Sequence, residues 1–277
     1  AGTGGQCLMS PPELIDGKMP YVLYNLGGVI LNVITSLIFI VIYLISLWKL
    51  LSLAMIMSAI MGFASAVVNG IPMKVGDINN DGYNAVQLGS DKDALKALWV
   101  QLKMNGALAE GIGIREMPEE WFESIDGKND NPMITSIKVF YCNRLMAMHK
   151  FEQTKEEIKK VLESNMVLVG VYRYLLICDY IYCELIDGNI IEAEEFYTKD
   201  LQKFMKSMKK FPAILRTKYT YELLHNKDSK QAEKLRTLFN IMSEKYPYTS
   251  DIEAENELMD IAKSIYDGVM DNKINKK

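Results

Sequence analysis

Between Met19 and Met73 the chain carries one charged residue, Lys49, in a short break between two apolar runs. A helix rises about 1.5 Å per residue, so about 20 apolar residues cross about 30 Å of hydrocarbon. The runs Val22 to Leu47 and Leu50 to Val68 reach or approach that length and predict a transmembrane hairpin, with Trp48 and Lys49 at its tip. Charge is distributed accordingly. Up to residue 73 the charged residues are Glu13, Asp16, Lys18 and Lys49, so the whole net charge of −4 resides in 74–277. The expected fold class is all-α: a membrane unit over 1–90 with spans at 22–47 and 50–68, then a helical unit over 91–277.

Lys74, Lys92, Lys96 and Lys103 follow the second span. By the positive-inside rule they predict a multi-pass protein of the cell membrane with residues 74–277 in the cytoplasm. The opening Ala1-Gly-Thr-Gly-Gly has neither the basic start nor the apolar core of a signal peptide, and the chain reads as a fragment beginning inside a domain. Cys7, Cys142, Cys178 and Cys183 show no Cys-x-x-Cys spacing; they read as reduced thiols. No nucleic-acid partner is expected.

From Asp91 onward the pattern is helical, with Ala94, Leu95, Leu98, Trp99 and Leu102 at steps of three and four. Further helices are predicted near 134–150, 154–165, 168–186, 190–208, 213–225, 229–245 and 252–268. Asp187-Gly188-Asn189 before Glu192-Ala193-Glu194 resembles Asn226-Lys227-Asp228 before Gln231-Ala232-Glu233, 39 residues on. Stacked helical hairpins of a tetratricopeptide-like kind, binding a protein partner on a concave face, are one expectation; a plain helical bundle is the other. The tyrosines 172, 174, 180 and 182 are expected in the core rather than along a groove. His149, expected on a core-facing helix, and His225 lack metal-ligand spacing.

The hairpin holds polar residues that need a reason at such a place. These are Asn25 and Asn32 in the first run, then Asn69-Gly70-Ile71-Pro72 and Asn80-Asp81-Gly82 beyond the second. Asp77-Ile-Asn79-Asn80-Asp81-Gly82 starts like a calcium loop, but its twelfth position is Leu88, which has no carboxylate to complete an oxygen shell. A simple turn at Asn80-Asp81-Gly82 is the plainer alternative.

Three segments taken in order resemble the site-2 protease family of intramembrane zinc metallopeptidases. Gly4-Gly5-Gln6-Cys7-Leu8-Met9 is similar to its Gly-Gly-aromatic-x-x-Met edge strand, with Gln6 at the aromatic position. Gly28-Val29-Ile30-Leu31-Asn32 is similar to its Gly-Pro-x-x-Asn signature, with Val29 at the proline. Asn69-Gly70-Ile71-Pro72 followed by Asn80-Asp81-Gly82 resembles its Asn-x-x-Pro…Asp-Gly motif, with a longer gap. The likeness covers residues 1–90 and is greatest to variants of Gram-positive bacteria that carry a helical tail.

The resemblance implies hydrolysis of peptide bonds in membrane-embedded substrates with Zn2+ as cofactor. Asp81 would be the third zinc ligand. The other two, with a glutamate base, would come from a His-Glu-x-x-His helix that this chain lacks, so the fragment alone is expected to be inactive. Asn32 and Asn69 would hold the substrate backbone or the developing oxyanion. Gly4 and Gly5, with Pro72, would contact a substrate paired as a strand. Asn32 and Asn69 serving as packing hydrogen bonds between spans, and Gly4-Gly5 as a lead-in loop, remain alternatives from the residues themselves. A non-catalytic, membrane-anchored helical scaffold is the rival function.

Overall fold

The computed structural model describes residues 11–75, 78–123 and 131–274. Among them run α1 (Tyr21–Ile45), α2 (Lys49–Gly70), α3 (Asp81–Gln87), α4 (Lys92–Ala109), α5 (Pro132–Ala147) and α6 (Phe151–Glu163). There follow α7 (Gly170–Ile186), α8 (Ile190–Phe196), α9 (Lys199–Ser207), α10 (Pro212–Thr220), α11 (Ser229–Ser243) and α12 (Thr249–Ile274). Helices carry the fold; a two-residue antiparallel ladder, β1 (Lys74–Val75) with β2 (Ile78–Asn79), joins α2 to α3. The chain divides into two units, Pro11–Trp99 and the described residues from Val100 onward.

In the first unit, α1 and α2 are long and apolar enough to cross a membrane. Most of their surface is uncovered, and Leu23, Leu31, Leu44, Leu53 and Met61 are exposed. Such a surface is unfavourable in water by about 25 cal/mol per Å² and at home in hydrocarbon. The helix ends differ slightly from the expected runs. α1 closes early, with Ser46 N–H on the Ile42 carbonyl, whereas α2 continues to Gly70 because nothing opposes helix until Ile71, which precedes Pro72.

The seam between α1 and α2 is set by glycines. A Cβ on Gly62 would strike the Ser36 hydroxyl, and one on Gly70 would stand 2.9 Å from Val29 Cγ1. These contacts lie seven residues apart on α1 and eight on α2, so the helices run antiparallel and nearly aligned. α2 therefore stops level with Val29, and the stretch of α1 from Tyr21 to Val29 carries that helix about 12 Å further. The short α3 occupies the space left beside that overhang. It packs chiefly on α1, with Gly82 against the Gly70 carbonyl and Gly89, in the turn behind it, against the Tyr21 hydroxyl.

The second unit is a stack of short helices in which α5 packs on α6, α6 on α7, α7 on α8 and α10, and α10 on α11 and α12. Its core includes Tyr182, Leu201, Met205, Ile214, Phe239 and Met259, all at most 1% exposed. Caps fix the helix starts: Asn131 accepts from Met133 N–H ahead of Pro132, and Asp228 accepts from Gln231 N–H. α7 ends in a Schellman closure at Gly188 (φ +81°), with Asn189 N–H on the Glu184 carbonyl at 2.8 Å.

Two expectations are corrected. The predicted helix 190–208 is broken at Tyr197, because the Thr198 hydroxyl accepts from Leu201 N–H and starts α9 afresh. His149 is not on a core-facing helix: α5 ends at Ala147, and His149 takes φ +57° in the closing turn while Lys150 N–H reaches the Leu145 carbonyl. Its ring stacks on Phe151, and its Nε2 lies 3.3 Å from a Glu257 carboxylate oxygen.

Candidate functional site

The residues after α2 form one junction organised by Asn80. Its side-chain oxygen accepts from Met73 N–H and Tyr83 N–H, both at 2.9 Å. Its amide nitrogen donates to the Val68 carbonyl at 2.8 Å and the Ile71 carbonyl at 2.6 Å. The main chain adds Asn80 N–H to the Met73 carbonyl at 3.1 Å. One side chain thus caps the start of α3 and satisfies carbonyls at the end of α2, where a helix leaves four acceptors without partners.

Asn80-Asp81-Gly82 is consequently a helix start rather than a free turn, with Asp81 as the first residue of α3. Gly82 is required by close approach: a Cβ there would overlap the backbone of Gly70 and Ile71. Asp81 stays exposed, a carboxylate presented where α3 meets the end of α2.

Asn69 is exposed on the last turn of α2, and Pro72 is exposed just beyond it. Asn32 lies three residues past Val29, about one turn further from the start of α1. It is half-buried on the seam, and its carbonyl oxygen stands 3.4 Å from where a Gly62 Cβ would be. The structure therefore brings Asn69, Pro72 and Asp81 to one junction and sets Asn32 a turn away. Gly4 and Gly5, like Asp77 of the calcium-like pattern, lie outside the described residues.

Zinc requires three protein ligands and an open position for water. Among the described residues no three His, Cys, Asp or Glu side chains are grouped to hold a metal ion. Both histidines belong to the second unit, where His225 stacks on Tyr221. The residues present offer one suitable oxygen donor, Asp81, and by themselves do not make a zinc site.

The second unit holds a buried charged centre. Arg216, 1% exposed, donates to the Asp179 carboxylate, to Glu255 Oε2 at 2.8 Å, and to Thr217 Oγ1 at 3.0 Å. Its guanidinium lies 4.9 Å from the centre of the Tyr182 ring. Burial works against its charge, but the facing carboxylates outweigh it and hold the group protonated. Burial, opposed by Arg216, keeps Asp179 above the ordinary carboxylate value. Cys142 and Cys178 are free thiols, both pushed up to about 12 by burial, and Cys183 is likewise free and buried.

Sequence reasoning named Asn80 only as part of the Asn80-Asp81-Gly82 turn or motif and passed over Arg216. Arg216 had a signal, a single arginine directly after the apolar Pro212-Ala-Ile-Leu, matched by Asp179 inside Leu-Leu-Ile-Cys-Asp-Tyr-Ile. Charges in such runs are rarely buried unless paired. No protein-family model, curated protein or solved structure matches the chain.

Proposed function

We propose that the chain is part of a site-2-type intramembrane zinc endopeptidase. In this reading α1 to α3 contribute the C-terminal portion of the catalytic core, and the helical unit, as a tetratricopeptide-like array or a bundle, recruits a substrate or regulator. The observation that supports it is the junction itself. The residues of the Asn-x-x-Pro…Asp-Gly likeness meet at the end of α2, with Asp81 exposed at the start of a helix docked beside α1.

Asp81 would be one zinc ligand, joined by two histidines of a His-Glu-x-x-His helix outside this chain. Bound zinc would supply the hydrolytic water by lowering its pKa towards about 7. Within the chain, Asn69 and Asn32 would hold the peptide backbone, and Gly4, Gly5 and Pro72 would line its path. The protein would be multi-pass in the cell membrane, with residues 74–277 cytoplasmic.

The test is zinc content and proteolysis of the protein expressed from its complete reading frame. Loss of both on Asp81→Ala, with fold retained, is the expected result; retention of both overturns the assignment. Orientation is read from labelling of Ser46→Cys, expected to react only from outside the cell.

A second reading, a membrane-anchored helical scaffold, is favoured by one fact: the polar side chain that does most at the junction, Asn80, is spent wholly on backbone. A complete reading frame without a His-Glu-x-x-His helix would decide for it.

A further inference from the structure

The second unit holds a half-open cavity of about 220 Å³ lined from α4, α5, α7, α10 and α12. Its walls are mainly apolar, with Met104, Leu108, Phe140 and Leu258 among them. Polar groups enter from two sides. Asn105 and Asn143 face it from α4 and α5, and Asp179, Asp251 and Glu255 from α7 and α12. Buried or half-buried polar groups are nearly always hydrogen-bonded. Among the described residues, Arg216 is the cation bonded to these carboxylates, and it is engaged by Asp179 and Glu255. The side chains of Asp251, Asn105 and Asn143 have no partner among the described residues.

We propose that this cavity is a binding site for a small organic cation, an ammonium group on an apolar stem. The stem lies against the Met104, Leu108 and Leu258 wall. The ammonium donates to Asp251 and Glu255, one turn apart on α12, and the two asparagine amides complete its polar surroundings. An apolar pocket with a few convergent polar groups is the usual form of a small-ligand site. The charge balance sets the class: three carboxylates face one guanidinium, so a cation is attracted, while an anion would meet repulsion. Burial and the neighbouring Glu255 push the Asp251 carboxyl up to about 6, and a cation seated beside it would hold it ionised. The inference rests on the helical unit alone and stands or falls apart from the peptidase reading.

The ammonium can come from a free amine or from a lysine side chain, and the test separates them. The full chain in lipid nanodiscs is titrated calorimetrically with n-pentylammonium, Nα-acetyl-lysine methylamide and the neutral n-pentanol. Saturable binding of pentylammonium at least tenfold tighter than pentanol is expected, and at least tenfold weakening of the ammonium by Asp251→Asn with pentanol unchanged. Tighter binding of the lysine derivative than of pentylammonium assigns the site to a peptide side chain; the reverse order assigns it to a free amine. Circular dichroism checks that the variant is folded, and Asn143→Leu, which narrows the cavity without touching the carboxylates, is expected to weaken every probe. Absence of binding, equal binding of pentanol, or indifference to Asp251→Asn overturns the proposal.

Discussion

Asn80 donates a side-chain hydrogen bond across twelve residues to the carbonyl of Val68, at 2.8 Å, and so closes the end of one apolar helix with the cap of the next. Its four side-chain hydrogen bonds each contribute about 0.5–1.5 kcal/mol net. Asn80→Ala is expected to destabilise the first unit by about 2–4 kcal/mol, measured by chemical unfolding in detergent. Asn80→Asp keeps the acceptor but sets a carboxylate oxygen against the Val68 and Ile71 carbonyls, and should lose at least as much.

Gly82 and Gly70 answer differently to the same added methyl group. At Gly82 a Cβ meets the backbone of Gly70, which cannot turn aside; at Gly70 it meets a Val29 methyl 2.9 Å away, which can yield by a small shift. Overpacking costs about 1–3 kcal/mol. Gly82→Ala is expected at the top of that range and Gly70→Ala at the bottom, compared by thermal unfolding of the two proteins. Equal losses would show that α3 does not rest on the end of α2.

Arg216 binds two carboxylates in the core, and removing it leaves both without a counter-charge. Breaking a buried pair costs about 3–5 kcal/mol, whereas replacing the whole set by apolar residues is often neutral. Arg216→Met is therefore expected to lose about that much. The triple variant Arg216→Met, Asp179→Leu, Glu255→Met should recover most of it in urea unfolding.

Asp251 should make the helical unit pH-sensitive. Its carboxyl titrates near 6 when folded, above the ordinary 3.8 expected unfolded. A raised carboxyl favours the folded state most when protonated, so its contribution is present below about 3.8 and is lost as pH rises through about 6. Asp251→Asn is expected to raise Tm at pH 7.5 and to leave it nearly unchanged at pH 4, with about 2–4 °C for each kcal/mol in a unit of this size. A gain that is the same at both pH values would remove the carboxyl as its cause.

The readability of the sequence follows the range of the forces. The two spans were legible because a charge-free run of apolar residues is a local property, and α1 and α2 lie within about three residues of the expected limits. The break at Thr198 was missed because one hydroxyl on Leu201 N–H decided it against a continuing helical pattern. At the junction, Asn69, Pro72 and Asp81 were singled out by resemblance. The reason they meet, the bonds from Asn80 to residues 68, 71 and 73, depends on a chain reversal that no local pattern encodes. The Arg216 centre joins α7, α10 and α12, elements far apart along the chain.

α3 has seven residues, well short of the about 12–15 at which a helix becomes marginally stable alone in water. It exists as a helix only while seated, so the position of the Asp81 carboxylate is a property of an equilibrium between a seated and an unravelled segment. Small changes in the bed that α1 provides, at Tyr21, would be transmitted as the fraction of time that carboxylate is presented at all.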